Sequence, residues 1–372
     1  MVAPTLRQEP YRIFFPLGII LAAAGVVPWL LFARGVLPTW PGLPHALVMS
    51  QGFFVAIAIG FLGTMLPRRT QSEPFSGSTL GFLGLAIVGS SAAQLAGLVI
   101  VAEALYLACF MALAAAALRR AKSGSLPPSF VLIPVGALLG ATGAALLVAS
   151  AAGAPEVTLR LGRALVAQGA LLGMVLGVVP FLGSALLRGA PAARPGTRAF
   201  YVGVAVVLAA SFVLDELIAP SVGLGARALL AGVIVVGSGA LDPTSKSGAH
   251  RAFFRLALLL VPIGLAAASL APERRVALLH ITYGGGFALL VLAVTVHVGL
   301  MHGGGERVAE TWPAPIVIAA ALALAAVAVR ACLEGFGAHY LDAMAIAAVL
   351  WLGAVAAWGA FLAPHLLRRA RP

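Results

Sequence analysis

The chain has 372 residues, 61% of them apolar and 10% charged. Soluble domains carry roughly 25% charge, so this composition excludes a water-soluble globular protein and makes lipid the main solvent. The net charge of +12 comes mostly from basic residues in short stretches between apolar runs. That is the pattern of topology signals and headgroup contacts. No basic patch interleaved with aromatics is present, which excludes a nucleic-acid groove.

A helix needs about 20 apolar residues to cross a bilayer. Reading in chain order, candidate spans cover residues 12–33, 43–67, 78–95, 97–119, 129–152, 157–187, 199–218, 221–240, 252–270, 275–300, 313–332 and 341–366. The first run, Ile13 to Phe32, is too long for a signal-peptide core and is expected to stay as helix one. The break near Gln94–Gly97 is weak, and merging its two flanks would give eleven spans.

Charge favours twelve. With twelve spans both termini share one side, and that side holds 17 of the 24 Lys and Arg residues. The other side holds Arg34, Arg160, Arg163, Arg227, Arg274, Arg275 and Arg330. The bias predicts cytoplasmic termini.

An internal repeat points the same way. His45-Ala-Leu-Val-Met-Ser-Gln-Gly52 is similar to Arg163-Ala-Leu-Val-Ala-Gln-Gly169, and Phe61-Leu-Gly-Thr64 to Phe181-Leu-Gly-Ser184. A third copy begins at His280, ahead of Gly284, Gly285 and Gly286. The expected fold is an all-α integral membrane protein of about twelve transmembrane helices. It is one domain over 1–372, in three pseudo-repeated four-helix groups at about 12–120, 129–242 and 252–368. Residues 45, 163 and 280 each open the second helix of a group.

The longest loops are about a dozen residues, so chemistry must sit inside the bundle or at its rims. Ionisable side chains in lipid are costly and tend to mark sites. His45 has Met49 at i+4 and Gly52 at i+7, and His280 has Gly284 at i+4. On one face of an α-helix, small residues beside a His would leave room for a flat ligand such as a porphyrin. The two histidines form a candidate bis-imidazole iron pair; each can also simply meet water at a helix start. Arg163 can pair with a haem propionate or serve only as an interfacial charge.

His297 and His302, near the other end of the same helix, are candidate ligands for a second metal such as copper. Their spacing of five is not the i, i+4 that aligns ligands on one helix. His250, His339 and His365 are read as surface residues. Glu103 is a lone intramembrane acid, and Asp215–Glu216 end helix seven. Cys109 and Cys332 belong to no Cys-x-x-Cys motif. Walker, dinucleotide and nucleophile-elbow motifs are lacking.

Three stretches resemble the NnrS family. They are Glu9-Pro-Tyr-Arg-Ile-Phe-Phe-Pro-Leu-Gly18; His45 to Thr70, ending Gly60-Phe-Leu-Gly-Thr-Met-Leu-Pro-Arg-Arg-Thr70; and His280 to Gly303. The resemblance implies a twelve-span haem- and copper-containing protein of nitric oxide metabolism or nitrosative stress. Its layout is like the catalytic subunit of haem–copper oxidases. By motif position the low-spin haem ligands would be His45 and His280.

Departures from the family pattern are Leu47 for a second His, Val48 for a Glu, His297 for an Arg, and Met301 for the Gly before His302. Spans 157–187 and 199–218 contain no His, which argues against an oxygen-reducing oxidase.

The resemblance implies a non-covalent b-type haem, a diatomic ligand such as nitric oxide, and a bacterial-type inner membrane. If the chain is an enzyme, it implies a haem-dependent oxidoreductase acting on nitric oxide. A membrane redox partner or homo-oligomer would suit such a protein. Two other readings remain: a cofactor-free small-molecule transporter or channel, with breaks at Pro67, Pro134, Pro180 and Pro262, and an accessory subunit of a respiratory complex.

Overall fold

The computed structural model describes residues 6–121, 126–188, 196–239, 242 and 246–367. Lys122, Arg194, Arg368, Arg369 and Arg371, which count toward the charge bias, lie outside them, as does the last residue of the third expected repeat. The described residues form helices and turns only. With no water in the bilayer core, an apolar run satisfies its backbone groups by closing helical hydrogen bonds within itself.

Twelve helices are long and apolar enough to cross a membrane. They are α1 (Tyr11–Ala33), α2 (Gly42–Thr70), α3 (Gly77–Leu95), α4 (Val99–Ala121), α5 (Pro128–Ala151) and α6 (Glu156–Leu187), then α7 (Arg198–Leu217), α8 (Pro220–Gly237), α9 (Ala249–Leu270), α10 (Pro272–His302), α11 (Ala314–Ala331) and α12 (Leu333–Leu367). The chain is a multi-pass membrane protein. The weak break between the third and fourth spans is a true turn. Gly97 takes φ +75°, and Leu98 N–H donates back to the Ala93 carbonyl at 2.8 Å. A residue with a Cβ is strained at that φ.

Three helices stand apart by burial. In their most apolar stretches α2, α6 and α10 are 72%, 67% and 78% buried, while none of the other nine exceeds 44%. The same three each contain a π-helical segment, Val48–Phe54 in α2, Leu165–Gly169 in α6 and Ile281–Ala288 in α10. Each begins one to three residues after position 45, 163 or 280. Pro67, Pro180 and Pro262 lie inside continuous helices, and Pro134 sits near the start of an uninterrupted one. The prolines expected to break helices do not. The interruptions lie elsewhere: in α1 the helix stops at Ala24 and restarts at Val27, and in α12 Gly337 leaves helical geometry at φ +51°.

By internal packing the described residues divide into two compact units, 6–25 with 42–174 and 26–41 with 175–367. In the first, the start of α1 lies along α2: a Cβ on Gly60 would come 2.9 Å from the Phe15 ring. There too α5 meets α6 through facing glycines, and a Cβ on Gly136 would stand 2.9 Å from the Cα of Gly173. In the second, α9 meets α10 at Gly264, where a Cβ would stand 2.5 Å from the amide nitrogen of Thr282. Without a hydrophobic drive between helices in lipid, such close approaches supply the packing contacts that hold the bundle.

Candidate functional site

The break in α1 explains the setting of His45. The Trp29 amide donates to Val26 rather than to Gly25, which leaves the Gly25 carbonyl without its usual helical donor. The Nδ1–H of His45 fills that role at 2.8 Å. A carbonyl only accepts, so Nδ1 carries the hydrogen and Nε2 carries the lone pair.

His280 repeats the pattern with its own helix. Its Nδ1–H donates to the Val276 carbonyl at 2.7 Å. Its Nε2 accepts from Nε and Nη2 of Arg330, each at 3.4 Å, which fixes the same tautomer independently. The Arg330 guanidinium also lies 5.9 Å from the Trp29 ring centre. Tyr283 stands edge-on to His280, with ring centres 6.2 Å apart. Arg330, placed among the outer charges by sequence, is thus directed at a histidine.

The small residues beside these histidines do not leave an open face. A Cβ on Gly52 would stand 2.6 Å from the Ser91 hydroxyl and 3.5 Å from Leu21. A Cβ on Gly284 would stand 2.5 Å from Val327. Met49 packs its sulfur against Gly25 at the α1 break. The glycines therefore admit neighbouring helices. The π segments also upset the counting behind the expectation, because i+4 and i+7 share a face only in an unbroken α-helix. Arg163 is exposed.

At the other end of α10, His297 and His302 do not share a helix face. A separation of five residues turns the two about 140° apart around a helix. The partner of His297 is His250 of α9, with Nε2 of His250 3.3 Å from Nδ1 of His297. His250 is 2% exposed, so reading it as a surface residue is wrong. Its polar flank suggests a loop, but the residue is already inside α9. His302 is half-buried. His339 is exposed and lies 3.6 Å from Asp342, and His365 is half-buried against Gly299 and Gly305.

Two buried polar clusters complete the picture. In the first unit, Glu103 accepts from the side-chain amides of Gln51 at 2.6 Å and Gln94 at 2.7 Å, and the Gln94 amide also reaches the Gln51 oxygen at 3.2 Å. Three helices thus close a polar triangle. In the second, Asp215 pairs with Arg227, both side chains wholly buried, and Arg275 bridges Asp215 at 3.2 Å and Glu216 at 3.4 Å. The Arg227 guanidinium lies 4.3 Å from the centre of the Phe212 ring. Arg227 is therefore not a headgroup contact, as its count among the outer charges supposed: desolvation demands a partner, and Asp215 is that partner.

Among the described residues no three His, Cys, Asp or Glu side chains converge as a metal-binding group. The chain opening and the end of α2, which carry two of the motif stretches, meet directly. Glu9, 3% exposed, accepts from Arg12 at 2.5 Å and Arg68 at 3.3 Å, and the Tyr11 amide donates to the Thr64 hydroxyl at 3.4 Å. Comparison with protein-family models finds that of the NnrS protein family over residues 5–370. The chain belongs to the NnrS family. Comparison with curated proteins finds no match. In this NnrS chain Glu9 of the opening motif is thus clamped by Arg12 beside it and Arg68 of α2, and the other two motif stretches lie in the helices with the greatest burial.

Proposed function

We propose that this NnrS protein binds haem through His45 and His280 and acts in nitric oxide metabolism or the response to nitrosative stress. The proposal places it in a bacterial-type inner membrane with both termini cytoplasmic. The observation that carries it is the shared tautomer. Metal-bound histidines usually donate the other ring N–H to a carbonyl or carboxylate, which fixes the ring and raises the basicity of the ligating nitrogen. Both histidines have Nδ1–H held by a main-chain carbonyl, so Nε2 would be the nitrogen to hold the iron, on His280 once Arg330 releases it. Bound haem held by two imidazoles would supply one-electron transfer chemistry. The chain's part is to hold the imidazoles and exclude water. Arg163 remains proposed as a propionate partner.

The three-group repeat belongs to the same proposal. Its support is that the three leading positions each precede a π segment, on the three most buried helices. Membrane π-bulges gather at functional positions.

The test is spectroscopic. Protein purified from haem-replete cells is expected to show a Soret band that His45→Ala and His280→Ala each weaken or shift. A wild-type protein without that band, or two variants with an unchanged one, would sink the assignment.

A further inference from the structure

We propose that Glu103 is a proton-binding site, open to the end of the bundle at the α3–α4 turn and gated by rotation of the Gln94 amide. Glu103 differs from the other buried acids. Glu9 is held by Arg12 and Arg68, Asp215 by Arg227 and Arg275, and Glu216 by Arg275. Glu103 is wholly buried, yet among the described residues no Lys, Arg or His stands within ion-pair distance of it. Its partners are two neutral amides, which satisfy its lone pairs but leave a full charge in an apolar interior. A proton removes that charge and needs no room. A metal cation does need room: oxygens about 2.4 Å from a hard ion and roughly 90° apart stand ~3.4 Å from each other, whereas the sides of the Glu103–Gln94–Gln51 triangle are 2.6, 2.7 and 3.2 Å.

The contacts decide which oxygen takes the proton. Both carboxylate oxygens face N–H groups, the arrangement of the ionised acid. A proton on Oε2 would force Gln51 to turn, and its nitrogen would then meet the nitrogen of Gln94. A proton on Oε1 asks only Gln94 to turn. The Gln94 oxygen then accepts the new O–H, Gln51 keeps its hold on Oε2, and the contact given up is the longest of the three, at 3.2 Å. A glutamine amide rotates between two such settings with its stem in place. Ser91, one turn before Gln94 on the same face of α3, has a buried hydroxyl without a partner. It lies against Gly52, the neighbour of Gln51, and is an acceptor in the same seam for the turned nitrogen.

Glu103 is four residues into α4 and Gln94 one residue from the end of α3, which sets the acid about 6 Å from the turn at 1.5 Å per residue. The Ser90 hydroxyl ties the two helices there, donating to the Ala102 carbonyl at 2.9 Å. The other titratable groups around the site are Tyr106 and Cys109 further along α4 and His45 of α2. The helices α3 and α5, packed against α4, contain none.

The experiment is infrared difference spectroscopy of the full chain in detergent as the pH is lowered. A carboxylic C=O band is expected to grow in, to shift when the glutamate side chains are isotopically labelled, and to be lost in Glu103→Gln. A glutamine side-chain amide band should change with it and lose that change in Gln94→Leu. The labelled wild type is a readout that needs no variant. No such band at any pH where the protein stays folded, a band unchanged in Glu103→Gln, an amide change that survives Gln94→Leu, or a band abolished at fixed pH by added Na⁺ would overturn the proposal. Haem-free protein is expected to show the band as well, which keeps this outcome separate from the haem assignment.

Discussion

The Asp215–Arg227 pair is the sharpest test of how this bundle tolerates charge. Both side chains are wholly buried, and Asp215 also receives Arg275. Asp215→Ala removes the counter-ion and leaves the Arg227 guanidinium inside the second unit, with the Gly223 carbonyl and the Phe212 face for company. Removing one partner of a buried pair costs about 3–5 kcal/mol, whereas replacing both by apolar residues is often neutral. Asp215→Ala should therefore lower the folded-to-unfolded ratio on the order of a hundred- to several-thousandfold. Asp215→Leu/Arg227→Met should recover most of it, since Arg275 keeps its contact with Glu216. The assay is reversible unfolding in mixed micelles as the denaturing detergent fraction rises, with folded protein followed by size-exclusion. The reasoning fails if Asp215→Ala costs under about 1 kcal/mol, or if the double variant is as unstable as the single one.

Other outcomes follow from the same contacts. Gly264→Ala places a methyl 2.5 Å from the Thr282 amide and should destabilise by about 1–3 kcal/mol, while Gly81→Ala, with open space at its Cβ, should gain roughly 0.5–1 kcal/mol; the same unfolding assay compares them. Glu103→Leu strands the Gln51 and Gln94 amides that Glu103 accepts, about 1–3 kcal/mol for each buried donor. Glu103→Gln keeps one acceptor oxygen and should cost clearly less, so equal losses would refute the triangle's importance. Cys332 is exposed and Cys109 buried. Since Cys332 follows α11, cytoplasmic termini require an impermeant maleimide to label Cys332 from outside intact cells and to spare Cys109.

The fold was largely legible because a membrane span announces itself over about 20 residues of local composition. Even the doubtful third turn was marked by its glycine. The leading positions 45, 163 and 280 were also visible, since they recur with a motif around them. What local reading misses is pairing across sequence distance. His250 finds its partner 47 residues away on the next helix, and nothing in its own neighbourhood separates that from a loop histidine. Arg227 could have been suspected: a lone charge inside a glycine-rich apolar run, twelve residues after an acid on the preceding helix, has few other ways to be desolvated. Glycine marks close approach without naming what approaches. At Gly52 and Gly284 the neighbours that approach are Ser91 and Val327.

The π segments carry a consequence for how this chain can change length. A π turn holds about one residue more than an α turn, so each segment is a place where a helix has absorbed an extra residue without breaking. Removing one residue within Val48–Phe54, Leu165–Gly169 or Ile281–Ala288 would let the turn relax to α. The flanks would then keep their phase, whereas the same deletion in an α turn rotates everything upstream against everything downstream by about 100°. A deletion scan along α2 should therefore give two kinds of failure. Losses elsewhere in the helix turn one flank out of register and damage packing throughout the unit, whereas a loss inside Val48–Phe54 perturbs only the turn beside His45. These three turns are then the places where the chain can change length by a residue at the least cost to helix register.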